Sequence, residues 1–219
     1  MNKIFCTQLF ALIAMLMTAT VTGQSLSVPD QLIERYAEVQ LRFDTDEDLE
    51  EPLANLLDEA VRYRDLNPTD ANAWVVTARI RFGYANTQNI FTGPRLLKFS
   101  RDDLEHALTL DHLHNRGLTQ AFLGYLYIGL PGWPLSFGDK KRGRELLGEA
   151  WAIDSTTLSN QYFYGFTHIS DKDYAGAKRH YLQLLESVES DPVQPFLQAL
   201  YVREVNELLV SLKEELAEE

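Results

Sequence analysis

The stretch LSNQYFYGFTHISDKDYAGAKRHYLQLLESVE, Leu158 to Glu189, decides how the rest of the chain is read. Gly165 and Ala177 stand twelve positions apart, and Tyr181 follows one helical turn later. Small side chains at those two places let the helices of one hairpin approach closely, while the aromatic is expected to fill the gap between neighbouring units. A unit of this kind cannot bury its apolar face alone. The spacing therefore predicts a short array of stacked helical hairpins and an all-α domain.

Working outward, the same grammar recurs upstream. Val28-Pro29-Asp30 opens a first helix, expected to end near Phe43, with Leu32, Ile33, Tyr36 and Ala37 on one stripe. Asp44 to Asp48 supplies acidic capping for a second helix bearing Leu49, Leu53, Leu56, Leu57 and Ala60, which Asn67-Pro68 stops. These two form a degenerate leading hairpin over residues 24–68. Three hairpins are expected over residues 69–191: helices Asp70 to Tyr84 and Ser100 to Leu110, then Arg116 to Gly129 and Asp139 to Ile153, then the unit quoted above. After Asp191-Pro192, one amphipathic helix from Pro195 to about Leu216 reads as the polar-faced cap that a stacked array needs, making residues 192–219 a capping segment.

The first two of these hairpins depart from the period in the same place. Ala78 to Ser100 is 22 positions and Gly124 to Gly143 is 19, against 12 in the third unit. The extra segments, residues 87–99 and 130–138, join the two helices of a hairpin and are expected to emerge side by side on one rim. The second reads LPGWPLSFG, in which Trp133 and Phe137 would each gain about 2–3 kcal/mol on full burial, so they pack under the loop or meet a ligand. The first combines Ile90, Phe91, Leu96, Leu97 and Phe99 with Arg95, Lys98 and Arg101. These cations either receive an anionic ligand group or neutralise neighbouring acids such as Asp102, Asp103 and Glu105.

Aligning the hairpins places Val75, Arg79, Phe82, Ala121, Tyr125, Ile128, Tyr162, Phe166 and Ile169 on a largely apolar concave face. Such a face needs a cover, and the expected one is the first helix or the C-terminal cap, the alternative being a ligand. His106, His112 and His114 lack zinc-motif spacing, and His168 and His180 read as packing residues. With no nucleophile-elbow serine and no phosphate loop, neither enzyme activity, nor a cofactor, nor a metal site is expected.

Met1 to Gly23 has the layout of a secretory signal peptide: Lys3, the apolar run Leu9 to Met17, then small residues. Cleavage near Gly23 would leave a periplasmic or secreted protein, an uncleaved anchor being the alternative. No integral span is expected beyond it. Cys6, the one cysteine, precedes the run, so the mature chain has no disulfide or thiolate site. Losing residues 1–23 removes one cation and no acid, taking the net charge from −12 to −13, which argues against nucleic acid or an anionic membrane surface as partner.

The Gly165, Ala177 and Tyr181 spacing, the Trp74 and Ala78 pair, and the run PGWPLSFGDKKRGRELL at Pro131 to Leu147 resemble bacterial secreted tetratricopeptide-repeat (TPR) proteins. The resemblance covers about Leu49 to Asp191 and implies a TPR-like α-solenoid of antiparallel helix hairpins with a C-terminal capping helix. More distantly, the exported array with long insertions looks like the T-component of TRAP transporters, a periplasmic helper whose family pairs with solute-binding proteins. Two functions follow as expectations. One is a scaffold that binds a protein or peptide on its concave face or rim. The other is a carrier of a small apolar or anionic molecule, with Trp133, Phe137, Tyr125, Tyr162 and Phe166 walling a pocket near Arg95 or Arg79.

Overall fold

The computed structural model describes residues 26–188 and 194–218. Among them lie nine α-helices, one short 3-10 turn and no strand, so the chain is all-helical. The expected leader over 1–23 with Cys6, the Asp191-Pro192 break and Glu219 lie outside the described residues.

Helix α1 (Val28–Arg42) starts where Ser27 accepts the Asp30 amide and Pro29 occupies the first turn, and it buries Leu32, Tyr36 and Ala37. α2 (Asp46–Leu66) is capped by Thr45, and its three first-turn acids, Asp46, Glu47 and Asp48, face the positive end of the helix dipole. α3 (Ala71–Asn86), capped by Asp70, is buried on nearly every side, from Ala73, Val75 and Val76 to Ala78 and Ile80, and even at Arg79 and Arg81. The remaining helices are α4 (Gly93–Leu110), α5 (Leu118–Gly129), α6 (Lys140–Ile153), α7 (Leu158–Ser170), α8 (Tyr174–Ser187) and α9 (Pro195–Glu218).

Two boundaries differ from expectation. α4 begins at Gly93 rather than Ser100, so the first insertion is a loop only over 87–92, and Arg95, Leu96, Leu97, Lys98 and Phe99 are helical. Pro94 misleads here: in a first turn its missing N–H costs nothing, and proline starts a helix instead of ending one. α5 begins at Leu118 rather than Arg116, because Asn115 and Arg116 are both left-handed (φ 46° and 56°) in the turn His114–Gly117.

Sequential helices pair antiparallel. Trp74 meets His106 while Ala78 meets Ser100, so partners run in opposite directions along α3 and α4. The small positions do the close work. Ser100 Oγ donates to the Ala78 carbonyl at 2.7 Å, and Gly124 and Gly143 bring the α5 and α6 backbones so near that a Cβ on Gly143 would lie 2.8 Å from the Gly124 carbonyl. A Cβ on Gly165 would strike the Tyr181 ring, whose hydroxyl donates to the Tyr162 carbonyl at 3.2 Å. Tyr181 thus fills the inside of its own hairpin, not the space between units, because glycine leaves its vacancy on the facing helix of the same pair.

α9 does more than cap an end. It lies along α1, α7 and α8, burying Leu200 against α1–α3 and Tyr201, Val205 and Leu212 against the second half of the core. Much of the apolar face shared by these hairpins is therefore covered by α9. The buried Glu34 of α1 accepts the Phe196 and Leu197 amides at 3.1 and 2.9 Å, holding the start of α9, and Arg203 donates to the Gln40 carbonyl at 2.7 Å. Elsewhere buried Asp103 joins buried Arg81 and half-buried Arg64, a triad tying α2, α3 and α4, in which burial and then Arg64 lower the Arg81 pKa to about 10.

The glycine contacts carry a paired test. Gly143→Ala should destabilise by about 1–3 kcal/mol through overpacking, although alanine is the better helix former, whereas exposed Gly148→Ala, with nothing within 4 Å of its Cβ, should stabilise by up to about 1 kcal/mol. Urea unfolding of the two variants checks this; equal signs would refute the close backbone approach.

Candidate functional site

A cavity of about 520 Å³ opens where the odd-numbered helices begin. Its wall takes Asp30 and Ile33 from α1, Asn72, Val75, Val76 and Arg79 from α3, and Leu118 at the head of α5. Thr157 to Ser159 at the head of α7 and Leu197, Gln198 and Tyr201 from α9 complete it. Five helix amino ends converge here, each carrying partial positive charge. Those of α1, α3 and α7 are capped by Ser27, Asp70 and Thr157, while α5 follows Gly117 (φ 93°) and receives no side-chain cap.

Arg79 is the buried cation of the cavity, whose wall also holds Asp30 and, at the mouth, Arg116. It is 7% exposed, its Nη1 donates to the Tyr201 hydroxyl at 2.5 Å, and its guanidinium lies 4.7 Å from the Tyr201 ring centre. No carboxylate lies within ion-pair distance of it among the described residues. Burial works to lower its pKa, but Tyr201, Tyr36 and Glu204 outweigh that and raise it, so it stays protonated. Burial likewise pushes Tyr36 and Tyr162 up and Tyr125 to about 12, keeping these phenols neutral. Asp30, the acid of the wall, is occupied: it accepts from the Ser27 hydroxyl at 2.6 Å and from the Gln194 amide at 3.2 Å.

The left-handed turn beneath α5 is held by Asn160. This residue is 1% exposed, and its amide nitrogen faces the carbonyls of Arg116, Ala150 and Asp154 at 2.7–3.2 Å. Arg116 at the mouth pairs with Asp154 and reaches the Thr156 hydroxyl. Left-handed conformations at Asn115 and Arg116 cost about 1–2 kcal/mol each, sustained here by that buried amide.

The structure gathers part of the expected site. Tyr125, Tyr162 and Phe166 form one aromatic cluster, with Phe166 4.7 Å from Tyr125 and 5.5 Å from Tyr162, and Tyr162 lies 4.9 Å from Tyr201, which leads to Arg79. The others stand apart. Phe137 packs edge-on against Tyr127 under the Arg101 guanidinium, Trp133 is 90% exposed instead of packed under its loop, and Arg95 is exposed on the first turn of α4. The five aromatics expected near Arg95 or Arg79 are thus not all gathered, because Tyr125 and Tyr127, the latter holding Phe137, leave α5 on different sides.

Tyr201, Glu204 and Asn160 escaped sequence reading. The first two sat within an amphipathic stripe whose apolar and acidic residues looked interchangeable, and nothing local marked Asn160. His168 Nδ1 lies 3.0 Å from Asp173, His180 Nε2 lies 2.8 Å from the Gln161 carbonyl, and His114 is buried with its pKa lowered by that burial, while His106 and His112 are exposed. Among the described residues no group of three or more His, Cys, Asp or Glu is placed to hold a metal ion, and no helix is long and apolar enough to cross a membrane. Compared with models of known protein families and with curated proteins, the chain matches none.

Glu204 offers a titration test. Burial is the main cause raising its pKa above 4.5, against the opposing pull of Arg79, Tyr162 and Arg203. The folded state then binds this proton more tightly than the unfolded chain. Its stabilising effect is complete below about pH 4.5 and is lost as pH rises through the higher folded value. Glu204→Gln should consequently melt higher than the parent at neutral pH, with the gap closing toward pH 4. A gap independent of pH would refute the assignment.

Proposed function

We propose that the protein is an exported, TPR-like hairpin array that binds a small organic anion in the Arg79 cavity, and that it is a carrier rather than an enzyme. One observation carries the reading: a protonated guanidinium, nine-tenths buried, opens onto a cavity with no carboxylate within ion-pair distance among the described residues, Glu204 acting on it only from farther off. A buried charge is costly unless compensated, and a ligand carboxylate would compensate it with paired hydrogen bonds. Ile33, Val75, Val76, Leu118 and Leu197 give the cavity apolar walls, which suits a carboxylate on an apolar body, and the volume lies in the range of small-molecule sites.

The close small-residue contacts of three successive hairpins support the TPR-like architecture, and the leader sequence over 1–23 supports export. Occupation of the concave face by α9 turns the choice away from a scaffold that grips a peptide there. A solute-handling role also agrees with what the T-component resemblance implies.

Native mass spectrometry of protein from its exporting host should reveal an anion released on denaturation. Calorimetry with apolar-bodied carboxylates and their carboxamides should show binding of the acids, weakened about 10- to 100-fold by Arg79→Gln. Ile33→Trp, which fills the cavity from the α1 wall and leaves Arg79 in place, should also abolish it. Carboxamides binding as tightly as the acids, or an Arg79→Gln variant binding normally, would overturn the reading.

A further inference from the structure

Three of the helices around the cavity run in the same direction, and their register gives it a rim, a shaft and a floor. Asp30 of α1 accepts from Gln194 just ahead of α9, Glu34 accepts the Phe196 and Leu197 amides, and Arg203 donates to the Gln40 carbonyl, so α1 and α9 are parallel. α3 runs with them. Asn72 shares the cavity wall with Asp30, while farther along a Cβ on Gly83 would meet the Tyr36 ring at 2.5 Å and the Gln40 amide at 3.0 Å.

The wall residues therefore follow the same order from the opening inward on each helix. Level with the opening are Asp30, Asn72 and Gln194. One turn in are Ile33, Val75, Val76 and Leu197, with Gln198 beside them, and two turns in are Arg79 and Tyr201. At about 1.5 Å per residue, Asn72 and Arg79 lie about 10 Å apart along α3.

Charge at the rim is already answered. Asp30 is held by the Ser27 hydroxyl and Gln194, Asp70 caps α3, and Arg116 pairs with Asp154. With these carboxylates outnumbering the guanidinium and meeting the field of the helix ends, a second acid on a ligand finds no matching charge there. What the rim offers is neutral. Asn72 of α3, Asn115 of the left-handed turn and Ser159 of α7 line it with carboxamides and a hydroxyl, side chains that make no hydrogen bond to other described residues.

Resting on the anion reading of the Arg79 site, we infer that the cavity takes an amphipathic hydroxy or amide acid about 10 Å long. Its carboxylate lies on Arg79 beside the Tyr201 hydroxyl, its apolar body between Ile33, Val75, Val76 and Leu197, and its neutral polar end on Asn72 and Ser159. A chain of about eight carbons reaches that far. Selectivity then has two independent parts. Arg79 requires that one end be acidic, and the rim requires that the other be polar and uncharged, because covering the Asn72 amide with a methyl group would leave its donors without partners.

The test is calorimetric titration of the full chain, as isolated, with octanoate, ω-hydroxyoctanoate, octanedioate and ω-hydroxybutyrate. ω-Hydroxyoctanoate should bind about 3- to 10-fold more tightly than octanoate, and octanedioate no more tightly than octanoate. ω-Hydroxybutyrate, too short to reach the rim, should bind at least about 10-fold more weakly than ω-hydroxyoctanoate. Asn72→Leu with Ser159→Ala, neither of them a cap, should erase the hydroxyl preference while leaving octanoate affinity and Tm unchanged. Failure to bind any of these acids would overturn the carrier reading and this inference with it. Octanoate bound as tightly as ω-hydroxyoctanoate, octanedioate bound most tightly, or a preference that survives the double variant would overturn this inference alone.

Discussion

The return of α9 along α1 is the constraint on which the rest of the molecule depends. Two hydrogen bonds from the Phe196 and Leu197 amides to the buried Glu34 carboxylate hold the amino end of α9, and Leu200 sits at the junction with α1, α2 and α3. A carboxylate at that position satisfies donors that a helix cannot satisfy itself and opposes the helix dipole. From this anchored start, Tyr201, Val205 and Leu212 reach across the apolar face of the hairpins. Without the anchor that face would be open to water.

The cavity is a consequence of the same packing. α9 covers most of the inner face, and its first turns, with Leu197, Gln198 and Tyr201, leave a gap against the amino ends of α1, α3, α5 and α7 and the left-handed turn at Asn115 and Arg116. Arg79 lies at the margin of that gap, steadied by Tyr201 on one side and acted on by Glu204 farther along α9. The tyrosines around it stay neutral because burial raises their pKa values, and Glu204 is held toward its protonated form for the same reason. The net result is a positive charge in low dielectric facing an opening, an arrangement that favours an anion.

The two ends of the hairpin array thus have different chemistry. Where the odd-numbered helices begin, buried polar groups and helix amides surround a cavity; where they end, two loops expose apolar side chains and the turn between α1 and α2 exposes Asp44, Asp46, Glu47 and Asp48. Both loops come from insertions at equivalent places, and Arg101 of α4, lying over the Phe137 ring, ties the second loop to α4. Much of the first insertion extends α4 instead of lengthening the loop, which leaves a short connection tipped by Ile90 and Phe91.

Residues 158–189 and their upstream counterparts determined the helices, their antiparallel pairing and the points of closest approach, because these are local matters. Small residues 19 and 22 positions apart meet across one hairpin, and caps such as Ser27, Thr45, Asp70 and Asp139 act within their own first turn. Arg79, Tyr125, Tyr162 and Phe166 were legible as an inner face for the same reason: helical periodicity puts them on one side. What covers that face was left open, and the cavity beside it was not legible at all. Arg79 and Tyr201 are 122 positions apart, and an amphipathic stripe like that of α9 could bury its leucines equally well against the end of the stack or within it. Only the assembled tertiary structure decides between those, because apolar burial is non-directional and the choice rests on a few long-range polar contacts, Glu34 with the α9 amides foremost among them.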